Sequence, residues 1–346
     1  MRMNYQDAMA IVRKFGKPDY FVTFTTNPKW PEIVNNLAEG QDPINHPDLV
    51  ARVFNLKLKA LLKEIIEESV LGVVVAYTWT IEFQKRGLPH AHILLIMRSC
   101  DKPRTPEDVD RAVAAEFPDD QNPQQKGLFK SVSTSMVHGP CGMFNREMPC
   151  TSETGVCNKG FPAEFAEETI LPVNKYPTYR RRDNERFTEK RGCALDNRWV
   201  VPYNPYLTRR FEAHINVQVC TSIRVVKYLY KYIHKGHDKA AIDIYAADEI
   251  KAFLDARYVA PPEACWRLFS FPMSGKSHAV ERLPVHSAGM QTVLFEEANP
   301  SEAVSTEKET RLTAYFKLVR DGWRAEGKRD LEAPPLYYAD VPRWYM

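Results

Sequence analysis

The sequence of 346 residues contains no apolar run approaching the roughly 20 residues that a helix needs to cross a bilayer. Its first ten residues, MRMNYQDAMA, contain no apolar stretch of the signal-peptide type, and no internal repeat is visible. These absences favour an intracellular protein that does not enter a membrane. Apolar residues make up 44% of the chain and charged residues 26%, which excludes a disordered chain and predicts a globular one.

A large charge excess is also missing, because the formal net charge at pH 7 is only +3. The field of the whole protein therefore identifies no partner, and any contact with nucleic acid must depend on local clusters of charge. The phosphate loop Gly-x-x-x-x-Gly-Lys-Ser/Thr does not occur, so a nucleotide-driven motor function has no support.

Cysteine is sparse and odd in number, with seven residues in all. Cys141, Cys150 and Cys157 lie in one short stretch, which favours metal binding in a reducing compartment over a disulfide framework. His138 completes a four-ligand set suited to tetrahedral Zn²⁺. Residues 133–193 are rich in Gly, Pro and Arg, so a structural metal would replace a hydrophobic core there. Free buried thiols are the alternative, since the spacing from Cys141 to Cys150 is unusual for a zinc finger.

Periodicity predicts the regular elements of the chain. Alternation of aromatic and β-branched residues predicts strands, and apolar residues at helical spacing predict helices. The predicted strands cover 19–26, 71–84, 90–98 and 214–219, and the predicted helices cover 47–69, 106–116, 221–235 and 307–325.

The strands on either side of Gly87 form a predicted hairpin that carries a candidate metal site. His90 and His92 are one residue apart, so both side chains leave the same face of a strand. With the turn centred near Arg86, Glu82 lies across from His90, and Gln84 is the second choice for an oxygen ligand. Two imidazoles and one oxygen suit Mg²⁺ or Mn²⁺, which would polarise a phosphate. The alternatives are two strand histidines without metal, or another hydrolytic or cupin-like site.

The predicted helix at 221–235 has two faces of different character. An apolar stripe is formed by Val226, Leu229, Tyr230 and Ile233. The opposite stripe consists of Tyr228, Lys231, Tyr232 and Lys235, with the two phenols about 6 Å apart along the axis. Because the ordinary pKa of tyrosine is about 10, a phenol acts as a nucleophile only when a cation or metal assists it. Plain packing and solvation of the tyrosines is the alternative.

Basic and aromatic residues alternate in residues 175–191, a pattern that suits a surface for single-stranded nucleic acid. A solvated charged loop is the alternative interpretation. Trp30, after the first strand, is a second candidate for base stacking. The candidate contacts are Trp30, Tyr179, Arg180, Arg181, Arg182 and Arg186.

Four ordered segments resemble the Rep region of Helitron rolling-circle transposases, within the HUH endonuclease superfamily. They are FVTFTTNPKWPEI (21–33), EFQKRGLPHAHILL (82–95), VHGPCG (137–142) and VVKYLYKYIHKGHD (225–238). By this resemblance His90 and His92 correspond to metal ligands, and Tyr228 and Tyr232 correspond to two nucleophiles. The family's full-length proteins usually continue into a helicase domain, which this sequence lacks.

The resemblance implies an α+β fold, with an antiparallel sheet flanked by helices and interrupted by the zinc-binding insertion. Expected domains are 1–132 and 201–346 for the two parts of the nuclease and 133–200 for the insertion. The implied activity is nicking and strand transfer of single-stranded DNA at transposon ends and targets, through a 5′-phosphotyrosine intermediate. For a eukaryotic transposon the expected location is the nucleus. The rival hypothesis is an inactive single-strand-binding module whose metals only stabilise the structure.

Overall fold

The computed structural model describes residues 2–83, 87–172, 176–221, 259–287, 290, 309–321 and 337–341. Contacts divide the chain into two units, Met1–His278 and Ala279–Met346. The insertion predicted at 133–200 lies inside the first unit, so its expected boundaries do not coincide with this division. None of the described helices is long and apolar enough to cross a membrane.

A five-stranded antiparallel sheet is the centre of the first unit. Its strands, in chain order, are β1 (Tyr20–Thr25), β2 (Val74–Phe83), β3 (Pro89–Met97), β6 (Ile215–Val219) and β7 (Ser274–Lys276). Their order across the sheet is β6-β1-β3-β2-β7. Two further strands, β4 (Phe187–Lys190) and β5 (Cys193–Asp196), form a separate hairpin. The α+β class and the antiparallel sheet predicted from the sequence are confirmed.

Helices and short 3₁₀ turns surround this sheet. The helices of the first unit are α1 (Arg2–Phe15), α2 (Pro31–Val34), α3 (Pro47–Ile66), α4 (Pro106–Ala112), α5 (Lys126–Ser135), α6 (Pro205–Phe211) and α7 (Pro261–Leu268). The 3₁₀ turns are Pro43–Asn45, Ser99–Asp101 and Asn197–Trp199. The second unit contains α8 (Arg311–Asp321), in which Arg311 pairs with Glu281.

The hydrophobic core lies on one face of the sheet and is covered by α3. Pro47 occupies the first turn of α3, where its missing N–H would have no helical partner in any case. Asp48 lies in the same turn, where its negative charge interacts favourably with the positive end of the helix dipole. Phe54 of α3 stacks on Phe24 of β1, with ring centroids 5.2 Å apart. Full burial of each large apolar side chain in this layer contributes about 1.5–3 kcal/mol. The sheet is therefore held from one side, and its other face combines the buried apolar side chains of Phe21, Leu94 and Ile96 with polar residues at the turn end of the hairpin.

The hairpin of β2 and β3 has the predicted register. Glu82 pairs with His90, as a turn centred near residue 86 requires. Gly87 lies in that turn with φ +81°, a left-handed conformation that glycine adopts without strain. On the other side of β3, Thr25 of β1 pairs with His90 and Thr23 pairs with His92.

Other predicted elements differ in their ends or lie outside the described residues. The helix expected at 106–116 ends at Ala112, because the chain turns extended at Val113 and Ala114 then bridges to Tyr203. The helix expected at 307–325 is observed as α8, and the strand expected at 214–219 is observed as β6. The helix expected at 221–235 lies outside the described residues apart from its first position.

Candidate metal centres

Two rows of polar side chains cross the face of the sheet opposite α3, at the turn end of the hairpin. Directly paired residues of antiparallel strands share a face. One row therefore contains Thr25, His90 and Glu82 on successive strands, and the next contains Thr23, His92 and Thr80. Asn216 on β6 extends the second row, since it pairs with Thr23.

The two imidazoles are oriented by the threonines of β1. Thr25 Oγ1 lies 2.8 Å from His90 Nδ1, and Thr23 Oγ1 lies 3.3 Å from His92 Nδ1. The ring of Phe21 stacks on the ring of His92, with centroids 5.7 Å apart and planes 10° apart. Each ring is thus held through its Nδ1 side, an arrangement that fixes the direction of Nε2 at metal-binding histidines.

Glu82 contributes its carboxylate to His92 instead of to the residue directly opposite. Its Oε2 lies 3.0 Å from His92 Nε2, although the backbone register pairs Glu82 with His90. Diagonal neighbours on antiparallel strands are within reach of a long side chain, which explains the difference. A carboxylate only accepts hydrogen bonds, so Nε2 is the donor in this contact.

Burial determines the electrostatics of this cluster. Both histidines are only 8% exposed. Desolvation is the main cause that lowers the pKa of His90 to about 4, and the nearby rings of His92 and His214 contribute less. His90 is therefore neutral at physiological pH, and a neutral imidazole is the form that binds a metal ion.

The donor set of His90, His92 and Glu82 offers two imidazole nitrogens and one carboxylate, a combination that could hold a divalent cation with open positions. In the described part of the chain, however, only the cysteine-rich set has all its ligand atoms within 4.8 Å of one another. Cation binding at the hairpin therefore requires Glu82 and the two imidazoles to converge further. Gln84, the second choice for an oxygen ligand, lies outside the described residues.

The predicted nucleophiles and their lysines are not part of the described structure. Tyr228, Tyr230, Lys231, Tyr232 and Lys235 all lie outside the described residues, so their roles stay predictions from the sequence.

The cysteine-rich insertion brings its four predicted ligands together. His138 Nε2 lies 3.5 Å from Cys150 Sγ and 3.3 Å from Cys157 Sγ, and all the ligand atoms of the set with Cys141 lie within 4.8 Å. In a tetrahedral zinc site with bonds of about 2.0–2.3 Å, ligand atoms stand roughly 3.5–3.8 Å apart. The observed distances fit this geometry. The cluster could bind a metal such as zinc.

Loops, rather than long helices or strands, position these ligands. His138 follows α5, and its backbone N–H donates to Trp199 O at 2.9 Å. Gly139 has φ +99°, and an added Cβ there would lie 2.7 Å from the Trp199 ring. Position 139, directly after the ligand His138, therefore accommodates only glycine.

The sulfur atoms have unequal environments. Burial and the neighbouring thiols raise the pKa of Cys141 to about 12. Burial also raises the pKa of Cys157, but backbone N–H donors from Phe161 and Lys159 outweigh it, so the net shift is downward. Crowded thiols resist losing their protons together unless a cation offsets the charge, which is the chemistry of a zinc thiolate site.

The structure contradicts the expectation that the rings of Trp30 and Tyr179 contact DNA. Trp30 is 1% exposed, and its Nε1 donates to Phe211 O at 2.7 Å. Tyr179 is buried, and its hydroxyl accepts the backbone N–H of Val219 at 2.9 Å. Neither ring is accessible for stacking on a base, because each packs in the core with its polar atom satisfied internally.

The arginines that follow Tyr179 are also engaged within the protein. Arg181 is 6% exposed, and its guanidinium donates to the carbonyl oxygens of Ala115 and Asn197, each at 3.0 Å. This corrects the expected DNA-binding role of Arg181, because no face of its side chain is open to a ligand. Desolvation lowers its pKa to about 10, so the side chain stays charged.

Arg180, Arg182 and Arg186 form ion pairs with carboxylates. Arg182 Nε and Nη2 contact the two oxygens of Glu116 at 2.9 and 2.8 Å. Arg180 contacts Asp110 at 3.1 Å, and Arg186 contacts Asp119 at 3.4 Å. These pairs neutralise three cations of the basic stretch, which therefore braces the insertion against α4 and the segment that follows it.

His214 is a residue that the sequence reasoning missed. It precedes β6, its backbone O accepts the N–H of Thr25 at 3.0 Å, and its Nδ1 lies 2.8 Å from Ser135 O. It therefore continues the row of His90 and Thr25 and connects that row to the end of α5. The signal was available in HINVQV, where His214 alternates with the buried positions.

Comparison with known protein families gives a match over the N-terminal part of the chain. Residues 1–95 match the family model of the Helitron helicase-like domain at the N-terminus. The matched segment contains β1, α3 and most of the hairpin, including His90 and His92. No curated protein matches the chain. The match supports a Helitron-family origin and a function related to DNA.

Proposed function

We propose that this chain is a metal-dependent endonuclease of single-stranded DNA from a Helitron-like transposon. It nicks and joins strands at transposon ends and targets through a covalent 5′-phosphotyrosine. The observation that carries this proposal is the pair of buried, threonine-oriented imidazoles on the central strand, with a carboxylate on the adjacent strand. This donor set fits Mg²⁺ or Mn²⁺, held by His90, His92 and Glu82.

The position of the donor set on the sheet supports a catalytic role over a purely structural one. β3 is buried along its whole length and paired on both sides, so His90 and His92 are held on a rigid element. The fold around them already has a large hydrophobic core, so it needs no metal there for stability. Two histidines at such a position are better explained by chemistry on a ligand.

The reaction uses one phenol and one phosphodiester. The oxygen of Tyr228 or Tyr232 forms a bond to phosphorus, the bond from phosphorus to the 3′-oxygen breaks, and the phenolic proton ends on that oxygen as a 3′-OH. A divalent cation, when bound, withdraws charge from the phosphate and so favours this attack. The energy of the broken bond is retained in the phosphotyrosine, so rejoining requires no nucleotide.

Incubation with fluorescent single-stranded DNA and Mn²⁺ tests the proposal. We expect a covalent protein–DNA adduct that disappears in Tyr228→Phe/Tyr232→Phe, while Tyr230→Phe is the matched control and keeps the adduct. Removal of a phenol oxygen keeps the ring volume, so the loss reports chemistry instead of a cavity.

The rival function, an inactive module that binds single strands, predicts a different outcome of the same experiment. Tight DNA binding with no adduct, in Mn²⁺ and in Mg²⁺, would establish the module and reject the nuclease. A phosphopeptide modified at Tyr230 would retain the nuclease but reject the assignment of the helix faces.

A further inference from the structure

A second polar site lies at the opposite end of the sheet from the histidines. There a cavity of about 370 Å³ is bounded by the start of β1, the loop after β3 and the end of β6. Its charged lining residues are Lys17, Asp19, Lys102 and Arg104. Three cations and one carboxylate give this cavity a net positive charge.

Asp19, the single carboxylate of the lining, already has partners within the protein. Asp19 is 5% exposed, its Oδ2 accepts the backbone N–H of Met97 at 2.8 Å, and it pairs with Lys102 Nζ at 3.0 Å. Asp19 and Lys102 therefore neutralise one another within the wall. The charges of Lys17 and Arg104 remain uncompensated by the other residues that line the cavity.

Both of these cations are held in place and keep donors to spare. Lys17 Nζ donates to Thr221 O at 2.7 Å and to Cys220 O at 3.3 Å, which uses two of its three N–H groups. Arg104 donates from one nitrogen to the carbonyl and hydroxyl oxygens of Ser99, each at 3.1 Å, out of five N–H groups. The nearby carboxylate of Asp108 accepts backbone N–H groups in the cap of α4.

We propose that this cavity binds a backbone phosphate of the DNA strand whose other end reaches the hairpin site. The inference rests on the proposed function and extends it to a second anchoring point. From Asp19 to Thr25 the chain advances six residues along β1, about 20 Å at 3.3 Å per residue. At 3.4 Å per stacked nucleotide that distance corresponds to about six nucleotides. A strand that spans this distance would therefore reach both sites at once.

The double variant Lys17→Gln/Arg104→Gln tests the site while leaving the buried Asp19–Lys102 pair intact. Each phosphate contact to a single strand contributes about 0.7 to the slope of log affinity against log salt, or about fivefold at 0.1 M salt. Because both cations act on the same phosphate, we expect the slope to fall by about 0.7 and the affinity for a mixed-sequence 16-mer to fall about fivefold at 0.1 M salt. Fluorescence anisotropy at several salt concentrations measures both quantities.

Strand length and a matched variant make the test specific. With Mn²⁺ present, wild-type affinity should rise in a step once the oligonucleotide exceeds about six nucleotides, and the double variant should lack that step. Lys59→Gln/Lys63→Gln removes the same charge from the exposed side of α3 and should keep the step. Thermal unfolding at an unchanged midpoint excludes a folding defect in either variant.

Three results would overturn the inference. One is equal loss of affinity in both double variants, which would mean a general charge effect. Another is an unchanged length profile after Lys17→Gln/Arg104→Gln. The third is saturation of the cavity by millimolar inorganic phosphate without any length step, which would indicate a site for a free anion. If wild-type protein shows the step but never nicks DNA, the nuclease proposal fails while the second anchoring point stands.

Discussion

Thr25 is the residue outside the donor set whose loss should most weaken cation binding at the hairpin. Its hydroxyl lies 2.8 Å from His90 Nδ1, whereas the equivalent contact from Thr23 to His92 is 3.3 Å. Loss of a group that orients a metal-binding histidine costs about 10- to 100-fold in metal affinity. Because the shorter contact is the stronger hydrogen bond, we expect about 30-fold weaker Mn²⁺ binding for Thr25→Val and less than about tenfold for Thr23→Val.

Calorimetric titration with Mn²⁺ measures this order, and the single-strand nicking rate at limiting Mn²⁺ should follow it. Valine keeps the β-branched shape and the strand preference of threonine, so the substitution removes mainly the hydroxyl. Thr188→Val on β4 is the matched control, since it makes the same change on a strand of the separate hairpin. Wild-type Mn²⁺ affinity in Thr25→Val, or a larger loss in Thr23→Val, would refute the reasoning.

Three further outcomes are expected. His92→Ala should abolish nicking yet bind single strands within a few fold of wild type, because phosphate contacts dominate affinity; normal cleavage in Mg²⁺ after chelator treatment would contradict the site. Metal analysis should find about one zinc per chain, and Cys150→Ser should expose the insertion to proteolysis; cooperative folding of zinc-free protein would contradict this. Burial raises the pKa of Glu116, but hydrogen bonds from Arg182 outweigh it and hold that pKa below its ordinary 4.5. The ionised carboxylate thus stabilises the fold above about pH 4.5 and loses this effect as the pH falls further. In urea unfolding, Glu116→Gln should be less stable than wild type at pH 7, with a gap that narrows toward pH 3; a constant gap would contradict the pairing.

Local periodicity was sufficient to predict the elements that carry the hairpin site. β1, α3, β2 and β3 have strong alternation or helical spacing, and all were predicted close to their observed ends. The register of Glu82 with His90 also followed from the sequence, because a short turn leaves little freedom of pairing.

Pairing between distant strands could not be predicted in the same way. Thr23 and Thr25 alternate in β1 as any half-buried strand residues do, and only the pairing of β1 with β3 makes them partners of the histidines. The threonines are separated from the histidines by 69 and 65 positions in the chain. Nothing local in the sequence specifies which strand will lie beside β3.

The basic stretch shows why composition is a poor guide to a binding surface. Alternation of arginine with aromatic residues is equally compatible with DNA contacts and with internal bracing. The choice depends on carboxylates and carbonyls elsewhere in the chain, such as Glu116 for Arg182 and Ala115 O for Arg181. A guanidinium donates to carboxylates and to phosphates alike, so its sequence context does not distinguish an internal partner from DNA.

The two candidate metal centres are linked through one histidine. His214 contributes its backbone carbonyl to Thr25, whose hydroxyl contacts His90, and its ring contacts the carbonyl of Ser135 at the end of α5. Three residues after Ser135 the chain supplies His138 to the cysteine-rich cluster. Since α5 leads directly into the loops of the cysteine-rich cluster, one helix end and two hydrogen bonds connect those loops with the sheet. The insertion, whose buried residues form two small clusters that include Tyr203 and Trp199, is therefore joined to the face of the sheet that carries the histidines.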